Sequence, residues 1–83
     1  MRNEHYPFTR VLRPEPEGGF TVLVPAQAGC VTYGRTLDEA KKMARDAVAD
    51  YIESLRKHHE PIPTDRETLV TTLDLEYAEA AVR

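Results

Sequence analysis

Cysteine, basic charge and long apolar runs are all scarce in this 83-residue chain, and each shortage excludes something. Cys30 is the only cysteine, so no disulfide can form within one molecule. Small secreted scaffolds depend on several, and a reducing cytoplasm is therefore the expected compartment. No apolar stretch approaches the ~18 residues of a membrane span, and Met1–His5 lacks the apolar centre of a signal peptide. Eleven Lys and Arg stand against 14 Asp and Glu, a formal net charge of −3. Nucleic-acid binders gain most of their affinity from phosphate neutralisation, so the balance disfavours that role; it suits a basic protein partner better, and a charge this small is also ordinary for solubility. The four glycines, at 18, 19, 29 and 34, match neither GxGxxG nor a phosphate-binding P-loop. A chain this short holds one domain, with no room for a separate cofactor domain, and no cofactor is expected.

Three β-prone stretches occupy the first half. Residues 6–13 carry Tyr6, Phe8 and Leu12 on one face, with Pro7 suited to a strand start or an edge. Pro14-Glu15-Pro16-Glu17-Gly18-Gly19 reads as a turn, because two prolines restrict the backbone and two glycines permit positive φ. Phe20–Val24 follows as a second strand, ended by Pro25. Ala26–Gly29 bends the chain into a short third strand, Cys30–Tyr33, closed by Gly34. This predicts an antiparallel meander.

The strongest local signal comes next. Thr36-Leu37-Asp38-Glu39 has the form of a capping box, in which Thr36 accepts from the Glu39 N–H and the Glu39 side chain returns the bond. Apolar residues then recur at Leu37, Ala40, Met43, Ala44, Ala47, Val48, Tyr51, Ile52 and Leu55, one helical stripe. Asp38–Lys42 and Glu53–Lys57 are spaced for surface pairs, and Pro61 and Pro63 stop the helix near His59. Thr68–Leu75 alternates Leu69, Thr71, Leu73 and Leu75 on one face, which predicts a fourth strand. Residues 76–83 form a short tail that could turn helical. The expected fold is α+β, a two-layer β-β-β-α-β sandwich: a meander plus a fourth strand, with one long helix on one face. The core spans about residues 6–75 of a single domain covering 1–83. One helix covers one sheet face, so a homo-oligomer is expected to cover what remains.

Catalytic and metal-binding readings are weak. His58 and His59 are adjacent, and neighbouring helical residues point about 100° apart, so they cannot converge on one ion. Cys30 lacks an evident activating base among His5, His58 and His59, and reads as a small buried residue. Asp46, Asp50 and Glu53 lie on the polar face of the helix, unlike the grouped carboxylates of a metal-dependent nuclease. No catalytic, cofactor or metal residue is assigned, and an enzyme is not expected.

The motifs nevertheless combine in one order. Glu15-Pro16-Glu17-Gly18-Gly19-Phe20 leads to Val24-Pro25, then Gly29-Cys30-Val31-Thr32, then Gly34-Arg35-Thr36-Leu37-Asp38-Glu39-Ala40, and later Tyr51-Ile52 and Pro61-Ile62-Pro63. Over about residues 6–75 this resembles the HicB-like antitoxin family, in its N-terminal domain. The resemblance implies a degraded RNase H-like fold without nuclease activity. It implies a cytoplasmic antitoxin that binds a small basic HicA-like toxin, an mRNA-cleaving enzyme, and occludes its catalytic face. The alternatives are an orphan oligomeric family member without a toxin and, behind it, a residual RNase H-like nuclease. Many family members add a C-terminal DNA-binding domain. Only Glu76–Arg83 follow the expected fourth strand here, so operator binding through such a domain is not expected. Ala26-Gln27-Ala28 also departs from the family pattern, where an acidic residue and a second proline are common. The partner-binding surface is expected at Glu15, Glu17, Pro25, Gln27, Gly29, Cys30 and Tyr33.

Overall fold

The structure, a computed structural model, describes residues 4–27 and 29–78. Three strands form an antiparallel sheet in the order β1-β2-β3: β1 Val11–Pro14, β2 Phe20–Leu23 and β3 Val31–Gly34. A single helix, α1, runs from Leu37 to Lys57 and packs on β3 and β2. The α+β meander-plus-helix arrangement is the one the residue pattern predicts. β1 is shorter than expected, because β2 offers it nothing beyond Leu23, which pairs with Val11. The next residue, Val24, gives its N–H to Cys30 O (3.2 Å) as the chain turns, so residues 6–10 run without a ladder.

Register divides the sheet into two faces. Leu12, Val22 and Thr32 are cross-strand neighbours, as are Pro14, Phe20 and Gly34; these look toward the helix. Val22, Val24, Cys30, Ala40 and Ala44 make the buried core, with Phe8, Leu12, Phe20, Ala47 and Val48 packed around it. The contact is close because its residues are small. A Cβ placed on Gly34 would overlap the backbone N and Cα of Ala40. α1 is also longer than the sheet: 21 residues rise ~31 Å, whereas four-residue strands span ~13 Å. Tyr51, Ile52 and Leu55 therefore lie past the sheet and are only half-buried.

Both helix ends are capped. Thr36 Oγ1 accepts the Glu39 N–H (3.1 Å), while the Glu39 carboxylate reaches one residue beyond the expected box and accepts from Arg35 N (2.6 Å). Lys42 pairs with Asp46 (3.0 Å) rather than with Asp38. At the other end His59 takes a left-handed conformation (φ 58°). It donates to Arg56 O (3.1 Å), and Glu60 donates to Leu55 O (2.9 Å), the pair of bonds that closes a Schellman motif. The two histidines thus terminate the helix.

The expected fourth strand is not part of the sheet. Thr68–Leu75 is extended and exposed but pairs with no strand among the described residues. The cause is a turn just before it, closed by Thr68 N donating to Asp65 O (3.1 Å). Asp65 itself is tethered near the start of the chain: its N–H donates to Pro7 O (2.9 Å) and its carboxylate accepts from Thr9 N (2.7 Å). Arg66 adds a bond to His5 O (2.9 Å). The radius of gyration, 17.4 Å, reflects the projecting segment; a compact chain of this length has about 12 Å. The rest of the tail, 79–83, where a short helix was expected, lies outside the described residues.

Two outcomes follow. Gly34→Ala should destabilise the fold by about 2–3 kcal/mol, because backbone must move to admit the methyl; urea unfolding would measure it, and a change under about 0.5 kcal/mol would contradict the close contact. The Asp65 carboxyl is held below the usual carboxylate range, first by the Thr9 N–H and then by the Thr68 hydroxyl. Its charged form is favoured by folding, so the tether is intact above pH ~4 and is lost as pH falls through the lowered value. In an NMR titration the Thr9 amide proton should shift with a midpoint below ~3.9, and Asp65→Asn should abolish that step. A midpoint at or above the usual value would contradict the bond.

Candidate functional site

The second face of the sheet receives no element of the described chain. Val11, Leu23 and Val31 form one cross-strand row on it, and Arg13, Thr21 and Tyr33 form the next. Val31 is 58% exposed and Tyr33 49% exposed. An apolar row across three strands, open to water, is the kind of patch that marks a contact surface.

The Pro25–Cys30 loop bounds one end of this face. Gln27 N donates to Val24 O (3.0 Å) and Cys30 N to Gln27 O (3.0 Å), two tight turns that return the chain into β3. Gly29 has φ 79°, which favours glycine there. The loop and the apolar row together enclose a shallow groove of about 330 Å³, lined by Val11, Leu23, Pro25, Gln27, Gly29 and Val31, with Cys30 and Val24 beneath. Cys30 is 8% exposed and belongs to the core, and burial raises its thiol pKa. A thiol kept neutral by its surroundings is a poor nucleophile. The Gln27 Oε1 atom is buried without a hydrogen-bond partner beside the groove.

The other end is bounded by the turn between β1 and β2. Glu15 N donates to Gly19 O (3.0 Å) and Gly18 N to Glu15 O (2.9 Å). The Tyr33 hydroxyl donates to Gly18 O (2.9 Å), and a Cβ on Gly19 would overlap that ring. Tyr33 therefore fixes the turn that carries Glu15, half-buried, and Glu17, exposed. Of the seven residues expected to meet a partner, Pro25, Gln27, Gly29 and Cys30 gather at one end of the sheet, and Glu15, Glu17 and Tyr33 at the other. The space between them is spanned by Val11, Leu23 and Val31, which motif reasoning passed over. Their signal was present in the register: each is out of phase with a helix-facing residue of its own strand.

Among the described residues no group of three or more His, Cys, Asp or Glu could hold a metal ion. Among the same residues no helix is long and apolar enough to cross a membrane.

Comparison with known proteins places this arrangement. The family model described as a HicB-like antitoxin of bacterial toxin–antitoxin systems matches residues 6–83. The UPF0150 protein Ta0767 of Thermoplasma acidophilum is 41% identical over 64 residues, covering 77% of this chain and 93% of that protein. Two UPF0150 proteins of Synechocystis are also similar. Protein ssr1765 is 37% identical over 60 residues, covering 72% of this chain and 76% of its own. Protein ssl0259 is 32% identical over 60 residues, covering 72% and 80%. No solved structure matches the chain significantly. The match runs through the turns, the capped helix and the segment beyond it, so the chain belongs to the HicB-like antitoxin family.

Proposed function

We propose that this protein neutralises a small basic HicA-like mRNA-cleaving toxin in the cytoplasm by covering the toxin's catalytic face, and that it does so without catalysis of its own. The observation that carries this reading is the open sheet face. An antitoxin needs a surface for its toxin, and the row Val11–Leu23–Val31 with its adjoining groove is an exposed apolar surface held on rigid strands. In this reading the apolar row is the centre of the interface. Glu15 and Glu17 at one end and the Pro25–Gly29 loop at the other form its polar rim. The two carboxylates would speed encounter with a basic partner more than they would set affinity. The −3 net charge points the same way. A degraded RNase H-like ancestry fits the meander and the helix, and a residual nuclease activity finds no support in the buried, unactivated Cys30 or in the helix-face carboxylates.

Val31→Asp tests the proposal. The side chain is 58% exposed, so the substitution should change folding stability by less than about 0.5 kcal/mol. It should weaken toxin binding by about thirtyfold or more, as loss of an interface hot spot does. Growth rescue on co-expression with a small basic HicA-like toxin, and co-purification of the pair, are the readouts. Glu17→Lys should mainly slow association and reduce its salt dependence. A wild-type chain that neither binds that toxin nor relieves growth inhibition would overturn the reading. So would a Val31→Asp variant that protects as well as wild type.

A further inference from the structure

Three features that the open face does not use are a segment rooted near β1, the outer edge of β1, and a groove beside that edge. The first is the segment after the Asp65–Thr68 turn. Leu69, Val70, Leu73, Leu75 and Tyr77 are all large and apolar, yet Leu69 is 88% and Leu73 85% exposed. A strand-like stretch with no partner leaves its apolar side chains in water and its backbone N–H and C=O groups open to pairing with another strand. The second is the edge. β1 pairs with β2 on one side, and its other side is unpaired. The third is a groove of about 210 Å³ beside that edge, lined by Tyr6, Phe8, Ala44 and Val48 with Arg10 and Arg45 at its rim. It exists because α1 lies over β2 and β3 and leaves the flank of β1 uncovered. It is smaller than the ~300 Å³ at which small-molecule sites begin, and its lining suits leucine side chains.

We propose that residues 68–75 complete the sheet of a second copy of this chain. Each subunit's segment pairs along the free edge of the other's β1 and places leucines in the groove beside it. The exchange is reciprocal, so it closes as a two-fold dimer.

Charge favours this placement. The far end of the segment carries Asp74 and Glu76, while the edge and groove carry Arg10, Arg13 and Arg45. Geometry favours a second copy over the chain's own edge. Asp65 is bonded to Pro7 and Thr9, which roots the segment next to β1, but the Asp65–Thr68 turn then directs it away. Ten residues of extended chain reach ~33 Å, enough to cross to a neighbouring subunit.

The test uses the full chain. Light scattering at micromolar concentration should give twice the monomer mass, and the melting temperature should rise with protein concentration. Hydrogen exchange should show the amides of 69–75 protected. Leu69→Asp combined with Leu73→Asp should give a monomer of unchanged helical circular dichroism, because both side chains are exposed in a single subunit. A monomeric wild type overturns the proposal, including one whose 69–75 amides are protected, since that strand has then closed on its own sheet. A dimer whose 69–75 amides exchange like free chain overturns it too, and this reading stands even if the double variant does not fold. So does a double variant that remains dimeric. None of these outcomes depends on whether the toxin reading holds.

Discussion

Helix α1 can rest on β3 only because there is no side chain at Gly34 where Ala40 sits. That contact sets the distance between the two layers, and the rest of the core follows from the distance. Ala40 and Ala44 are the fully buried helix residues because nothing larger fits so near the sheet. Val22 and Val24 fill what space remains, and Cys30 closes it. The capping bonds of Thr36 and Glu39 lie next to this point and hold the first turn of α1 in place. A core built of alanine and valine buries little area per residue, and hydrophobic stabilisation scales with that area. Small domains are marginal in any case. Stabilisation by any bound partner would therefore weigh heavily against so small a core.

Sequence patterns revealed the parts governed by local chemistry. The helix start is written in Thr36 and Glu39, the turns in Gly18-Gly19 and Gly29, and the strand ends in Pro14 and Pro25. Each of these is decided by the residue itself. What pattern reasoning could not supply was anything decided by what lies opposite. Residues 6–10 have strand chemistry and no ladder, because β2 ends at Leu23. Thr68–Leu75 has the alternation of a strand and no neighbour, because the Asp65 tether and its turn send it elsewhere. Asp65 lies in a short polar stretch, Thr64–Glu67, and nothing in its neighbours announces a bond to Thr9, 56 positions away.

The candidate site divides the same way. Motif residues gave its two ends, since turn-forming glycines and prolines are visible in a sequence. The middle, Val11–Leu23–Val31, emerges only once register brings three separate strands side by side. Cys30, conspicuous as the only cysteine, contributes least to the surface because its thiol serves the core. His58 and His59, conspicuous as a pair, end the helix.

The two uncovered surfaces differ in how they would be recognised. A sheet edge is read through backbone N–H and C=O groups, which any strand can match, so its selectivity rests on the flanking groove and on charge. A sheet face is read through side chains, so the row Val11–Leu23–Val31 can discriminate among partners by shape. The edge lies in the plane of the sheet and the face looks perpendicular to it, so occupation of one leaves the other accessible. Two chains joined along their edges would present two open faces on one particle. A toxin displaced from one face would then meet a second at high local concentration. For a protein whose own core is thin, such an assembly would add stability and hold on its target through the same joined sheets.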